Sequence, residues 1–190
     1  MLQRQLLHPS PKTRGHAPLL MTSPPSPLST VERGRRLPPK PNEAGEPPAR
    51  PTVRTIDKII IHCTATPVGR EVTVDEVRRW HRERGFADIG YHYLIHLDGR
   101  VSPGRPLRQM GAHCTNHNMH SIGIAYVGGL ARDCRTSMDT RTPAQRKALR
   151  GLVGQLLRDY PGATVHGHRE FAAKDCPCFD VQQWIKEEMP

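Results

Sequence analysis

A chain of 190 residues with a formal charge of +10 and 36% hydrophobic residues is long enough for one domain around a single core, without disulfides to hold it. Five cysteines, an odd number with no regular spacing, exclude a secreted disulfide framework and suggest thiols used singly. No run reaches the roughly 18 apolar residues of a spanning helix, and the first residues lack the apolar stretch of about 7 to 15 that marks a signal peptide; the chain reads as soluble and made in the cytoplasm.

Residues 1–52 hold 12 of the 19 prolines and show no periodic apolar pattern. Such a segment buries too little surface to offset the entropy of ordering, so residues 1–52 are expected to be a disordered tail and 53–190 the folded domain. The first fifty residues carry eight Lys and Arg against three Glu, half of the positive excess. The other half suits an anionic partner such as a wall polymer or a nucleic acid. No CxxC pair of a nucleic-acid-binding zinc module is present, which disfavours nucleic acid.

Lys58–Thr64 is a short β-branched run with no room for a helix before Pro67, and its continuous apolar character predicts a strand buried on both faces. Thr73 and Glu76 form a capping box ahead of Val74, Val77, Trp80 and His81 on one helical face, with Gly85 as the stop. Tyr91 to Val101 alternates and turns at Asp98-Gly99, a hairpin signal. Ser121–Gly128 reads as a second buried strand, and Gly129 to Arg141 carries no usable pattern. Thr142-Pro143-Ala144-Gln145 opens the clearest helix. Its stripe of Leu149, Leu152, Val153, Leu156 and Leu157 runs to Tyr160-Pro161-Gly162. Thr164–His168 predicts one more strand, and Asp180 caps a last helix bearing Val181, Trp184 and Ile185. Strands separated by capped helices predict an α/β domain: one mixed central sheet of about five strands flanked by about three helices.

Within nine residues near the end of the chain stand His168, Lys174 and Cys176. Imidazole and thiolate are ligands zinc favours, and a catalytic zinc needs a third protein donor. His62, at the end of the first strand, is the best source because a strand end is a rigid platform. Two His and one Cys leave one position open, as a catalytic site does. On a strand, His166 would share a face with His168 and could neighbour the ion. His113, His117 and His120 offer a second metal set by composition only, with no carboxylate or thiolate beyond Cys114 to complete it. Cys178 could assist Cys176, pair with Cys134, or be a small buried residue.

The blocks HCTAT, WHRERGFADIGYHYLIHLDGRV, GAHCTNHNMHSIGIAYVGG, TPAQRKALRGLV and HGHREFAAKDCPCFD follow one another over about residues 54–187. Together they resemble the type 2 N-acetylmuramoyl-L-alanine amidases, nearest the phage lysozymes, or endolysins, of the T-odd coliphage type, with peptidoglycan recognition proteins more distant. The resemblance implies that fold, a single Zn2+ held by His62, His168 and Cys176, and catalysis by Tyr91 and Lys174. It implies bacterial peptidoglycan as substrate, cut between the lactyl carbonyl of N-acetylmuramic acid and the first L-alanine of the stem peptide. Lys174 could stabilise the oxyanion, and Tyr91 could orient the water or pass a proton to the departing amine. Thr64, His92, His113 and Asn118 lie in the matched blocks and are expected to bind substrate. Glu170 is not nominated, since the resemblance is to the tyrosine type. A module that recognises peptidoglycan without cutting it is the main alternative, and the presence of Cys176 disfavours it. A lysozyme-like regulator of an RNA polymerase is another, for which no surface is marked. A monomer acting on the cell wall is the expected form.

Overall fold

The computed structural model describes residues 54–189, so the tail expected over residues 1–52 lies outside the described residues. In chain order the elements are β1 (Lys58–Cys63), β2 (Thr66–Pro67), α1 (Val74–Glu83), β3 (Tyr93–Ile95), β4 (Val101–Pro103), β5 (Ser121–Tyr126), β6 (Gly129–Leu130), α2 (Pro143–Asp159), β7 (Thr164–Gly167) and α3 (Val181–Glu188). Short 3-10 turns occupy Asn118–His120 and His168–Glu170. Five strands make one sheet in the order β4-β3-β5-β1-β7. The pairings β3 to β5, β5 to β1 and β1 to β7 are parallel, and only β4 runs antiparallel, to β3. The mixed five-stranded sheet with three helices is the architecture expected from the sequence.

Burial follows the pleat. Along β1, Ile59, Ile61 and Cys63 join Ile122, Ile124 and Tyr126 of β5 against Leu149, Val153 and Leu156 of α2 and Val181 and Trp184 of α3. On the opposite face Leu94, Ala125 and Val127 pack with Val72, Val77 and Ile89. Because successive strand residues alternate faces, Ile60 and His62 point to this second side, the side of α1. The continuous apolar run of β1 is thus explained by its being covered twice.

The helix ends match their caps. Thr73 with Glu76 and Thr142 with Gln145 form complete capping boxes, and the Asp180 carboxylate accepts the Gln183 N–H at 2.9 Å. Gly85 adopts φ +87°, the left-handed conformation glycine reaches without strain. The segment after Gly128, patternless in sequence, contains β6, which pairs parallel with β2 through Thr66 and Gly129. Two residues are too few to display a period.

Gln145 does more than cap. Its buried Nε2 donates to the carbonyls of Ile95 at 3.2 Å and Val127 at 2.9 Å, while Thr142 Oγ1 donates to Leu97 O at 2.7 Å. The start of α2 is thereby tied to the ends of β3 and β5. Replacing Gln145 by Leu keeps the volume but leaves the buried Val127 carbonyl and the Thr142 N–H without these partners, while the Ile95 carbonyl keeps the Val127 N–H. Urea unfolding is expected to show a loss of about 1–3 kcal/mol.

Candidate active site

The site forms at the carboxyl ends of the parallel strands, where open α/β sheets place their ligands. The parallel register pairs Ile61 with Gly167, so the next residues, His62 and His168, emerge side by side; their rings lie 4.5 Å apart. β7 stops at Gly167 and the chain turns. The loop that follows is closed by Arg169 N–H donating to Cys176 O at 2.7 Å. This returns Cys176 to β1, where its Sγ accepts the Cys63 N–H at 3.3 Å and stands 3.8 Å from His62 Nδ1. The donor atoms of His62, His168 and Cys176 all lie within 4.8 Å of one another. Zinc bond lengths in a tetrahedral site call for separations of roughly 3.3 to 3.8 Å, so a small inward movement suffices.

The electrostatics suit a soft divalent cation. Burial, reinforced by His113, holds the His62 imidazole well below its ordinary pKa. Burial and then the Lys174 cation lower that of His168. Both rings are neutral, the form that ligates. The Cys63 side chain beside Cys176 lowers the pKa of the Cys176 thiol, outweighing its burial. Cys63 itself is pushed up to about 12, chiefly by its contact with Cys176. Two neutral imidazoles and a thiol disposed to ionise are a donor set that fits zinc.

Around this set stand the other expected residues. The Tyr91 ring lies 5.2 Å from that of His62 and 5.1 Å from that of His81, and burial raises its phenol pKa. A cleft of about 270 Å³ is lined by Phe86, His113, Asn118, His168 and Lys174 among others. His62, His168, Cys176, Tyr91, Lys174, His113 and Asn118 are thus brought to one place. Asn118 Oδ1 accepts the N–H groups of His113 and Cys114 at 2.8 and 2.9 Å, which pins the wall of the cleft.

Thr64 and His92 are placed elsewhere. The Thr64 hydroxyl accepts the Gly128 N–H at 3.0 Å and meets Thr66 Oγ1 at 2.8 Å, and the residue lines a separate hollow of about 280 Å³ with Arg70, Trp80 and Arg84. His92 is 1% exposed. Its Nδ1 accepts the Gly123 N–H at 3.0 Å and its Nε2 faces Gln109 O at 3.0 Å, so both ring nitrogens are used behind His113. His166, opposite Ile60 on β7, meets Glu170 at 2.8 Å through Nδ1 and Thr164 Oγ1 at 2.9 Å through Nε2, and is not among the converging donors. Glu170 also accepts the Gly167 N–H. The His117 ring rests on Phe171 at 4.2 Å, and His120 Nδ1 meets Thr55 O at 3.0 Å, so His113, His117 and His120 do not converge. Cys178 Sγ lies 3.7 Å from Cys63 Sγ and donates to Gly129 O, while Cys134 is exposed.

Arg54 was not foreseen. Its guanidinium donates to the carbonyls of Leu107, Gln109, Asn118, Met119 and Ser121, clamping the segment that carries His113. An arginine serving main-chain oxygens leaves no motif, since the carbonyls belong to residues of any type.

An α/β sheet whose parallel strands end on three metal-capable donors is the class of molecule these features define. Residues 52–179 match the N-acetylmuramoyl-L-alanine amidase family, and the chain belongs to it. The endolysin of Escherichia phage T7 is 43% identical over 129 residues, covering 67% of this chain and 84% of the phage protein. Peptidoglycan-recognition protein SC2 of Drosophila melanogaster is 35% identical over 139 residues, 67% of this chain and 71% of that protein. Among solved structures, the N-acetylmuramoyl-L-alanine amidase LysC from Clostridium intestinale URNW superposes with a TM-score of 0.61 at 27% identity, covering 71% of this chain and 85% of that one.

Two outcomes follow. Replacing Arg54 by Met should lower stability by about 2–3 kcal/mol in urea unfolding, since a charged donor to several carbonyls is lost. Burial holds His81 and His92 down to about 4, from an ordinary 6.5. As pH falls the unfolded chain takes up these protons first, so stability declines from pH 6.5 toward 4 and the contribution of these two then levels off. Denaturation of the metal-free protein across that range should show the decline, and a flat profile would contradict it.

Proposed function

We propose that this chain is a zinc-dependent endolysin-type amidase that cleaves bacterial peptidoglycan between N-acetylmuramic acid and L-alanine, with residues 53–190 as its catalytic domain. The observation that carries the reading is the convergence of His62, His168 and Cys176 beside Tyr91 and Lys174. It is supported by relatives that bear the names endolysin and N-acetylmuramoyl-L-alanine amidase. His62, His168 and Cys176 would hold the ion. When bound, zinc supplies a Lewis acid for the carbonyl and a water whose pKa is lowered to about 7.

The remaining chemistry belongs to the chain. Lys174, beside His168 in the cleft, offers its cation to the oxygen that turns negative as water adds to the amide carbon. Tyr91 stays a neutral phenol because burial raises its pKa, which suits it to give a hydrogen bond or proton to the departing alanine nitrogen rather than to act as a base near neutral pH. As the carbon–nitrogen bond breaks, the hydroxyl of water remains on the lactyl carbonyl and a proton goes to the amine. His113 and Asn118 shape the cleft wall next to the reacting bond, and the hollow beyond Thr64 offers room for a further part of the polymer. One copy of the domain carries all three donors, in keeping with a monomer. Relatives named peptidoglycan-recognition proteins suggest binding without cleavage as the competing reading; the intact donor set favours cleavage.

Purified peptidoglycan digested with and without a chelator tests the proposal. New L-alanine amino groups, no new reducing sugar and loss of the signal with chelator are expected; reducing ends, or no products at all, would contradict it. Replacing Lys174 by Ala or Tyr91 by Phe should each lower kcat/KM by about 10²-fold or more at unchanged zinc content. Activity equal to the parent would remove the corresponding role.

A further inference from the structure

The histidine on the cleft wall has a second contact that points away from substrate. We infer that His113 is a positioning residue: its Nδ1 accepts the Nε2 proton of His62 and so fixes the ring orientation and tautomer of that ligand. The inference rests on the reading of His62 as a zinc ligand.

The proton assignments follow from the distances. His62 Nδ1 is the nitrogen facing Cys176 Sγ, 3.8 Å away, and a lone pair there places the ring proton on Nε2. That nitrogen lies 3.0 Å from His113 Nδ1, which must then be an acceptor, with the His113 proton on its own Nε2. This second proton points at Ser121 Oγ, 3.3 Å away, and the Ser121 hydroxyl donates to His117 O at 2.7 Å. Every donor meets an acceptor, and the chain ends on a carbonyl that has no proton to place. The opposite assignment turns the Ser121 proton away from the carbonyl at its shorter contact, and it puts a proton on His62 Nδ1, where the ligand lone pair is needed.

The surroundings hold the His113 ring in this pose. A Cβ added at Gly123 would come within 2.6 Å of the ring, and one at Gly111 within 2.5 Å, so glycine at both positions lets the ring lie flat against backbone. Asn118 fixes the main chain at His113. His113 is 9% exposed and His62 1%. An apolar ring at 113 would fill the space but leave the buried His62 N–H unpaired. Partners that orient ligating imidazoles typically change metal affinity by 10–100-fold when removed.

Zinc affinity of the full chain, measured by competition with a chromophoric chelator, tests this without relying on activity. His113→Phe is expected to weaken binding about 10–100-fold, whereas His113→Asn, whose Oδ1 can replace the Nδ1 acceptor, should stay within about threefold of the parent. Unfolding midpoints of the metal-free variants separate this pattern from a general loss of fold. Unchanged affinity in His113→Phe, or equal weakening in the Phe and Asn variants, overturns the inference. If His113→Phe does not fold, Ser121→Ala carries the test: weaker zinc binding is expected, and unchanged binding overturns it. A parent chain that binds zinc no better than His168→Ala would remove the ligand set itself, and the positioning role with it.

Discussion

The parallel pairing of β1 with β7 is the constraint on which the rest depends. It sets Ile61 against Gly167, and the residues that follow, His62 and His168, have nowhere to go but beside each other. The same strand then supplies a side chain and a main-chain group in succession, since His62 faces the donor cluster and the Cys63 N–H meets the Cys176 sulfur. A shift of β1 by one residue would turn the His62 imidazole into the apolar face packed on α2 and α3, where it would have no polar partner. The register that packs Ile59 and Ile61 into the core therefore also sets His62 beside His168.

Around that register the protein places polar groups in a buried setting and satisfies them one by one. His62, His113 and His92 are all held below their ordinary pKa, foremost by burial, and each has hydrogen-bond partners within the fold. Arg54 closes the segment from Leu107 to Ser121 through main-chain carbonyls. The loss of solvation that makes such groups demanding also keeps the imidazoles neutral, the form a metal requires. Tyr91 is treated in the same way, its phenol kept protonated, while Lys174 remains at the exposed rim. Stability and chemistry draw on the same low-dielectric pocket.

Much of this was legible in the sequence, for identifiable reasons. The helices announced themselves because capping boxes are local, and Thr73 with Glu76 or Thr142 with Gln145 needs only a three-residue spacing. The donors His62, His168 and Cys176 could be nominated because few side chains suit zinc. What escaped was set by tertiary structure. The pairing of β2 with β6 is too short to have a period. Arg54 acts on carbonyls, which no residue type signals. His92 and His113 looked equivalent as candidates, and both have their ring nitrogens engaged within the fold, yet only His113 lines the cleft beside His168 and Lys174. His166 was expected to neighbour the ion as well; its ring nitrogens go instead to Thr164 and Glu170, partners that its spacing to His168 does not reveal.

The proposed function requires His62, His168 and Cys176 to hold one metal ion together. Cobalt substitution tests it most directly, since a four-coordinate Co2+ site with a thiolate ligand has an intense visible spectrum and a sulfur charge-transfer band. One equivalent of cobalt with both features is expected, with loss of the charge-transfer band in Cys176→Ser. A weak six-coordinate spectrum, or a charge-transfer band that survives the loss of Cys176, would contradict it.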